Sequence, residues 1–501
     1  MEKIRILQLG SEDWNGVYTL PEYVELYYEE TLREVPSQPC DLIFLDRTPL
    51  KEEIPFLHQS AKAYTLFATD RVKQSEETDW LLRSRKGRYI ERSHIQDFLL
   101  LEAVNYFPRP YGEKFDLLNL AVSRNFQGRV RWDGKYSVCL TGDFGEELHQ
   151  IAFWRNNIPV FQGQCIDLWL EYKKDPEVRI ALTVTQFVRG TISEVQQKWE
   201  FSEEELEDVV RVDNQMPEGV VFLSLSAMGK GKLQIIALHD RYSRRGHGYF
   251  LPGGDRYVTS EREEVFCYFD PGDLKPPLNV YFSGYKTLEG FEGYWMMKKL
   301  GCPFLLVAEA RLDGGCFYMG SEEYEEMIRS AIFGYIQELG FTSDQVIFSG
   351  LSMGTFGALY YGCDIRPHAL LLGKPLASIG TVAANERLLR PGGFPTSLDV
   401  LKYLYRNTDA EAVKKLDARF WDKFDTADWG RSKFIVSYMM EDDYDASAYT
   451  NLLAHLHSDG VQVYGKGIHG RHNDDTRAIV NWFVSQYEKI LDEDFSRKAE
   501  M

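Results

Sequence analysis

Residues 345–360 read QVIFSGLSMGTFGALY, and this stretch decides the fold of the C-terminal half. Gln345 to Ser349 is a short apolar run typical of a buried strand, and Thr355 to Tyr360 continues as a helix. Between them, Gly350-Leu351-Ser352-Met353-Gly354 places a serine on the strand-to-helix turn. Such a turn strains the backbone of the serine and leaves no room for a Cβ at its neighbours, which explains the glycines. The motif predicts that Ser352 is the nucleophile of an α/β-hydrolase-type domain.

The sequence around this turn alternates strands and helices, which indicates a parallel sheet with crossover helices. The expected strands are Val265 to Phe269, Asn279 to Phe282, Phe304 to Ala308, Ala369 to Leu372, Lys433 to Met440 and Val461 to Tyr464. Ahead of the serine, Ser321 is expected to cap a helix that ends at Gly340. We assign residues 258–501 to this catalytic domain, with a lid-like insertion at about 376–430.

In a hydrolase of this type the nucleophile is followed along the chain by an acid and then by a histidine, each at the end of a strand. His472 is our candidate for the base, and His469, which is nearer to the strand, is the alternative. The acid is expected in Glu441-Asp442-Asp443-Tyr444-Asp445, where Glu441 and Asp442 are both candidates. Asp443 or Asp445 is expected to cap the next helix. The alternatives for this acidic run are a solvated loop or a calcium site, although calcium requires a more regular spacing of oxygens.

Two main-chain N–H groups are expected to stabilise the oxyanion. One belongs to Met353, the residue after the nucleophile, and the other to Tyr285 or Lys286 in the loop Ser283-Gly284-Tyr285-Lys286. A second glycine pattern, Gly465 to Gly470, matches the dinucleotide fingerprint, but no strand follows its helix, so we reject a nucleotide site there. No cofactor or metal is expected.

The N-terminal half is expected to form two further domains, because 501 residues exceed what one core organises. Residues 1–112 predict a small α/β (Rossmann-like) layer domain with a parallel sheet, ending near Pro108-Arg109-Pro110. Its strand-like runs are Ile4 to Leu9, Leu42 to Leu45 and Tyr64 to Phe67, and Pro21 to Arg33 is expected to be helical. Asp41 and Asp46 flank the second of these runs and could imitate a phosphoacceptor pocket, but carboxylates at strand ends are more often surface or capping groups.

Residues 113–257 show apolar and polar residues in alternation, which predicts a β-sandwich. Trp132, Trp154 and Trp169 lie in or near its strands. Tryptophans of this kind form the sugar-stacking platforms of carbohydrate-binding sandwiches, but they more often fill the core, and we prefer that interpretation.

Composition excludes several classes of function. A net charge of −19 without a basic patch argues against nucleic acid as a partner. The first ten residues contain no secretory core and no apolar run approaches a membrane span, so a cytoplasmic protein is expected. The seven cysteines are scattered without a C-x-x-C pair and are expected to be reduced structural thiols.

Beyond single motifs, the sequence resembles a known family at Gly350 to Gly362, at Gly373-Lys374-Pro375 and in the acidic run 441–445. It is similar over its full length, including Leu7 to Gly10 and Asp13-Trp14, to the second of the three accessory secretory proteins of streptococci and related Gram-positive bacteria. The resemblance implies a cytoplasmic O-acetyltransferase that acts on N-acetylglucosamine residues of serine-rich repeat adhesins. It also implies help with their export through the accessory SecA motor, a complex with the first and third accessory secretory proteins, and compatibility with peripheral association at the inner face of the membrane.

The resemblance assigns the catalytic serine to Ser352 and the histidine to His472. The glutamate that it implies as the acid favours Glu441, whereas ungapped spacing places Asp442 there. It specifies no acetyl donor. Three functions follow: an O-acetyltransferase, a carbohydrate esterase, and a non-catalytic export scaffold. The first two differ only in whether a lid excludes water from the acyl-enzyme, and an intact serine, acid and histidine argue against the third as a sole role.

Overall fold

The computed structural model describes residues 3–36, 39–106, 112–250, 253–456 and 460–497. Its contacts divide the chain into two compact units, one up to Gly254 and the other from Asp255 onward. The predicted end of the first domain, at residues 108–110, lies outside the described residues.

The first unit opens with a five-stranded parallel sheet in the order β2-β1-β3-β4-β5. Its strands and helices are β1 (Ile4–Leu9), β2 (Val24–Glu29), β3 (Leu42–Leu45), α1 (Ile54–Ser60), β4 (Leu66–Thr69), α2 (Glu76–Ser84), β5 (Arg88–Ile90) and α3 (Ile95–Asp97). β3 and β4 are buried along their whole length, as expected of parallel strands that are covered on both faces.

The prediction of a helix from Pro21 to Arg33 is wrong. Val24–Glu29 is β2, which runs parallel to β1 with Ile4 opposite Val24 and Leu9 opposite Glu29. Val24 and Leu26 are buried while their neighbours are partly exposed, so the segment has the two-residue period of a strand. In a stretch this short the two periods are easily confused.

The expectation that Asp46 is a surface or capping carboxylate is also wrong. Asp46 is buried, and it accepts hydrogen bonds from the Trp14 indole N–H at 3.2 Å and the Thr69 hydroxyl at 2.8 Å. Asp41 accepts from the main-chain N–H of Arg5 at 3.0 Å. The two carboxylates therefore accept hydrogen bonds from neighbouring segments of the domain at the ends of β3.

The rest of the first unit is a β-sandwich of two antiparallel six-stranded sheets. One has the order β14-β13-β16-β10-β7 with β11 on β16, and the other the order β15-β12-β17-β9-β8 with β6 on β17. The strands are β6 (Gly112–Lys114), β7 (Leu120–Val122), β8 (Arg129–Asp133), β9 (Ser137–Asp143), β10 (His149–Trp154), β11 (Ile158–Val160), β12 (Cys165–Lys174), β13 (Arg179–Val188), β14 (Val195–Phe201), β15 (Val210–Asp213), β16 (Gly219–Met228) and β17 (Lys230–Tyr242).

Two of the three tryptophans of the sandwich lie in the core, as we expected, and the third does not. Trp154 and Trp169 are buried, so they fill the interior. Trp132 lies on β8, an edge strand that is largely exposed, and its side chain remains 42% exposed. An edge position is not visible in the sequence, because alternation fixes the face of a side chain and not the place of its strand in the sheet.

The second unit is an eight-stranded sheet in the order β18-β19-β21-β20-β22-β23-β24-β25. β19 runs antiparallel to both of its neighbours, β18 and β21. The strands β21, β20, β22, β23, β24 and β25 run parallel to one another. The strands are β18 (Asp255–Val258), β19 (Glu264–Asp270), β20 (Leu278–Phe282), β21 (Phe304–Ala308), β22 (Val346–Leu351), β23 (Ala369–Gly373), β24 (Lys433–Met439) and β25 (Gln462–Ile468). The predicted boundary between residues 257 and 258 cuts β18, which pairs with β19 in this unit.

Eight helices accompany this sheet in the described part of the unit: α4 (Tyr294–Lys299), α5 (Glu322–Leu339), α6 (Met353–Ile365), α7 (Ile379–Leu388), α8 (Thr396–Tyr405), α9 (Ala410–Thr426), α10 (Ala448–His455) and α11 (Thr476–Phe495). The caps of α5 confirm the sequence prediction: the Ser321 hydroxyl accepts from the N–H of Tyr324, and Gly340 ends the helix at φ +68°. The insertion at 376–430 consists of α7, α8 and α9. A parallel sheet with the serine turn between β22 and α6 is the α/β-hydrolase architecture.

Candidate active site

Ser352 lies between β22 and α6 with φ +52° and ψ −120°, a backbone conformation that non-glycine residues rarely adopt. A Cβ on Gly350 would lie 2.3 Å from the carbonyl carbon of Gly354, and one on Gly354 would lie 2.1 Å from the carbonyl oxygen of Phe282. The N–H of Ser352 donates to the carbonyl of Gly373 at 2.8 Å, which ties the turn to the end of β23. The crowding that the motif predicts is therefore present on both sides of the serine.

The serine hydroxyl lies 2.8 Å from Nε2 of His472, and Nδ1 of the same imidazole lies 2.7 Å from Oδ2 of Asp442. His472 and Asp442 are both buried. Burial by itself would raise the pKa of Asp442, but the hydrogen bonds from His472 and from the N–H groups of Tyr444 and Asp445 hold this pKa below its usual value. An ionised carboxylate only accepts, so Nδ1 carries the proton and Nε2 is left to accept from the serine.

Glu441 does not reach His472. Its exposed carboxylate accepts from Nδ1 of His469 at 3.2 Å and from the main-chain N–H of Gly470. His469 is itself largely exposed. The structure thus joins Ser352, His472 and Asp442, and leaves Glu441 and His469 as a separate surface pair.

The other two acids of the run do not cap the next helix as expected, because Ser447 occupies the N-cap of α10. Asp443 forms an ion pair with Arg390 at 2.8 Å and accepts from the main-chain N–H of His472 at 3.1 Å. Asp445 accepts from the N–H groups of Ala377 and Ser378 at 2.9 and 2.8 Å. Asp443 and Asp445 each bind protein groups around the site, so this part of the run organises the site, whereas Glu441 remains at the surface.

The candidate oxyanion donors come from two segments, the start of α6 and the loop after β20. Met353 is the first residue of α6, where a main-chain N–H has no carbonyl of its own helix to bind. The loop after β20 packs against the turn: a Cβ on Gly284 would lie 3.0 Å from the carbonyl of Leu351, and the N–H of Gly284 donates to Glu292 at 2.6 Å. Tyr285 and Lys286 follow on this loop, and the choice between their N–H groups stays a prediction.

Lys374, which belongs to the Gly373-Lys374-Pro375 stretch of the resemblance, is a buried group at the site for which the sequence indicated no role. It follows β23 directly at φ +57°, and its ammonium donates to the hydroxyl of Thr476 at 3.2 Å. Burial lowers the pKa of Lys374, and the charges of Asp442 and Glu292 oppose that shift. A charged residue directly after an apolar strand, at the edge that carries the nucleophile, is the sequence signal that points to it.

A row of aromatic rings runs from the imidazole toward the loop after β20. The ring of Tyr444 lies 4.3 Å from that of His472, Phe394 lies 5.5 Å from Tyr444, and Tyr285 lies 6.0 Å from Phe394. Phe394 and Tyr444 are half-buried and Tyr285 is exposed. These rings come from three distant loops, so no sequence pattern connects them.

The second glycine pattern is not a phosphate-binding loop. Gly465 and Gly467 lie inside β25, opposite Val436 and Tyr438 of β24. Their main-chain groups belong to the sheet, so they are not arranged to cradle a phosphate. Among the described residues, no helix combines the length and the apolar character needed to cross a bilayer.

Comparison with known proteins gives full-length matches. Residues 4–497 match the family described as the accessory Sec system GspB-transporter. The chain is 38% identical to an accessory Sec system protein of Streptococcus gordonii, with 99% of each chain covered, and 35% identical to one of Staphylococcus aureus, with 99% and 98% covered. Its structure matches a chain of the Glycosylation Associate Protein (Gap123) complex from Streptococcus agalactiae with a TM-score of 0.89 and 34% identity, over 99% of each chain.

Proposed function

The chain belongs to the accessory Sec system GspB-transporter family, and on this basis we propose that it is an O-acetyltransferase for N-acetylglucosamine residues of serine-rich repeat glycoproteins. The observation that carries the proposal is the hydrogen-bonded series Ser352, His472 and Asp442 on a strained turn. A scaffold without chemistry has no use for a serine held in an unfavourable conformation against a buried imidazole.

The chemistry follows from the geometry. The Ser352 oxygen attacks the carbonyl carbon of an acetyl donor while Nε2 of His472 takes the hydroxyl proton. The N–H of Met353 and a second N–H from the loop after β20 stabilise the oxyanion, and Asp442 stabilises the imidazolium. The leaving group then takes the proton from His472, and an acetyl ester of Ser352 remains.

In the second half of the reaction a sugar hydroxyl gives its proton to Nε2 of His472, and its oxygen attacks the acetyl carbon. The ester bond to Ser352 breaks, and the serine oxygen recovers the proton from the imidazolium. If water takes the place of the sugar, the same residues perform ester hydrolysis. The acceptor that reaches the acyl-enzyme thus decides between a transferase and an esterase.

We also propose that the protein works in the cytoplasm in a complex with the first and third accessory secretory proteins and assists export of the glycoprotein through the accessory SecA motor. The full-length match to a chain of the Gap123 complex supports the association. Acetylation and export are then two activities of one chain.

The test is Ser352→Ala, with acetylation and export of the adhesin measured separately in cells. We expect acetylation to fall by roughly three orders of magnitude or more, because the nucleophile is lost. Ser485→Ala is the matched control, since Ser485 is an exposed serine of α11. Persistent acetylation in Ser352→Ala would refute the catalytic role, and export that continues without acetylation would show that the two activities are separable.

A further inference from the structure

The loop at residues 390–394 connects α7 with α8 and is held against the acidic run by Arg390. Nε of Arg390 forms an ion pair with Oδ2 of Asp443 at 2.8 Å, and the guanidinium carbon lies 4.1 Å from the centre of the Tyr444 ring. A Cβ on Gly393 would lie 2.8 Å from side-chain carbons of Arg390. Gly393 therefore lets the arginine side chain lie between the loop backbone and the tyrosine ring.

Further hydrogen bonds fix the loop at both ends. The Tyr444 hydroxyl donates to the carbonyl of Gly393 at 3.1 Å. The buried carboxylate of Glu386, on α7, accepts from the N–H groups of Gly392 and Phe394 at 2.5 and 2.6 Å. These bonds give the loop one defined conformation, with the Phe394 ring beside Tyr444.

The two residues that hold Arg390 also hold the base. Asp443 accepts from the main-chain N–H of His472 at 3.1 Å, and the Tyr444 ring packs on the imidazole at 4.3 Å. A displacement of Arg390 therefore changes the surroundings of His472 without removing any of the Ser352, His472 and Asp442 contacts. Asp443 and Tyr444 therefore contact both the loop and the base.

We propose that residues 390–394 form an acceptor gate, in which Arg390 keeps the loop and its Phe394 ring against Tyr444, next to the base, so that a sugar hydroxyl replaces water as the acceptor. This inference rests on the proposed function and deepens it. The half-buried rings of Phe394 and Tyr444 offer flat apolar faces to the C–H face of a pyranose and exclude water from the space that they occupy. Water greatly outnumbers any sugar, so transfer to sugar requires such a device at the base.

The gate decides which acceptor reacts in the second half-reaction. With Arg390 in the position that the structure shows, the attacking oxygen belongs to the sugar, its proton passes to Nε2 of His472, and the acetyl ester of Ser352 is cleaved with formation of the sugar ester. Where the contacts of Arg390 are lost, water supplies the oxygen and the same proton transfer yields acetate. Formation of the acyl-enzyme is common to both routes, so a change in the gate alters the ratio of products.

The test compares Arg390→Met with Arg387→Met in the full-length protein. Arg387 is an exposed arginine of α7 in the same insertion, and its guanidinium donates to the carbonyl of Thr408. With p-nitrophenyl acetate as donor and N-acetylglucosamine as acceptor, we measure nitrophenol release and the ratio of O-acetyl sugar to acetate. We expect the product ratio to fall by roughly tenfold in Arg390→Met and to stay unchanged in Arg387→Met; the ratio is taken per acetyl group transferred, so a change in the rate of nitrophenol release does not affect it.

An unchanged product ratio in a folded Arg390→Met protein would overturn the gate and leave the proposed function intact. Absence of O-acetyl sugar in the unaltered protein would instead refute the transferase itself. If Arg390→Met fails to fold, Phe394→Ala decides the matter, because it removes the ring and keeps the ion pair. A lower ratio in Phe394→Ala supports the gate, and an unchanged ratio contradicts it.

Discussion

At the residue scale, Asp442 and Glu441 are neighbouring residues with different hydrogen-bond partners, so substitutions at the two positions should have very different effects on kcat. Asp442→Asn keeps the shape of the side chain but favours the wrong tautomer of His472, so we expect kcat to fall by roughly 10³- to 10⁴-fold. Glu441→Gln disturbs only the exposed contact with His469 and should change kcat by less than about threefold. The measurement is turnover of p-nitrophenyl acetate at neutral pH. The opposite order of effects would make Glu441 the acid.

Lys374 should set the pH dependence of the reaction. Its buried ammonium donates to the Thr476 hydroxyl and lies in the field of Asp442 and Glu292, whose charges oppose the effect of burial on its pKa. Lys374→Met removes a positive charge from the neighbourhood of Asp442, the carboxylate that orients the base, so the acid limb of kcat/KM should move to higher pH. The other groups that face the imidazole, Ser352, Asp443 and the Tyr444 ring, are unaltered.

The control for Lys374→Met is Lys489→Met on the exposed face of α11. An acid limb that stays in place in Lys374→Met, or that moves equally in both variants, would show that the ammonium at position 374 does not act on the base. The shift is read from a full pH profile, since a general loss of structure would lower activity at every pH.

At the scale of elements, two glycines in helices should respond in opposite ways to alanine. A Cβ on Gly354, in the first turn of α6, meets the carbonyl oxygen of Phe282 at 2.1 Å, so Gly354→Ala should destabilise the second unit and abolish turnover. A Cβ on Gly334, in the middle of α5, meets nothing within 4 Å. Gly334→Ala should therefore stabilise by roughly 0.5–1 kcal/mol. Denaturant unfolding measures both, and equal effects would contradict the crowding argument.

Strands and helices were predictable from the sequence where a run of apolar residues or a capping residue marks them. The strand before Ser352 and the cap at Ser321 both appear in the structure, because each depends on local chemistry. The strand at Val24–Glu29 was missed, since six residues with mixed exposure fit either period. The ion pair between Arg390 and Asp443 joins residues that are distant in the chain, and only the fold brings them together.

At the scale of the whole molecule, buried carboxylates should make stability sensitive to acid. The pKa of Glu263 is lowered: burial opposes ionisation, but Arg311 at 3.0 Å, Ser321 and Tyr403 outweigh it. The pKa of Asp442 is lowered as well. A carboxyl group whose pKa is lower in the folded state stabilises the fold above its unfolded pKa, and this stability is lost as pH falls through the folded value.

We therefore expect Tm to decrease as pH falls below about 4.5, near the ordinary pKa of a glutamate. Glu263→Gln should have a lower Tm at neutral pH and a weaker dependence on acid, whereas Glu261→Gln, an exposed neighbour, should behave like the unaltered protein. Scanning calorimetry between pH 3 and pH 7 follows both. A Tm of Glu263→Gln that depends on pH as strongly as that of the unaltered protein would show that this carboxylate is not a source of the acid sensitivity.

All seven cysteines are free and buried, which allows a fluorophore to be attached at one introduced cysteine. Burial raises the pKa of Cys302 to about 11 and that of Cys165 to about 12, so their thiolate fractions at neutral pH are negligible. The native chain should thus be nearly silent toward maleimides. Leu389 is 78% exposed and lies beside Arg390 in the sequence. A single cysteine introduced at this position would be the one thiol that reacts readily with a maleimide fluorophore. Such a label would report movement of residues 390–394 during turnover without removal of any native thiol.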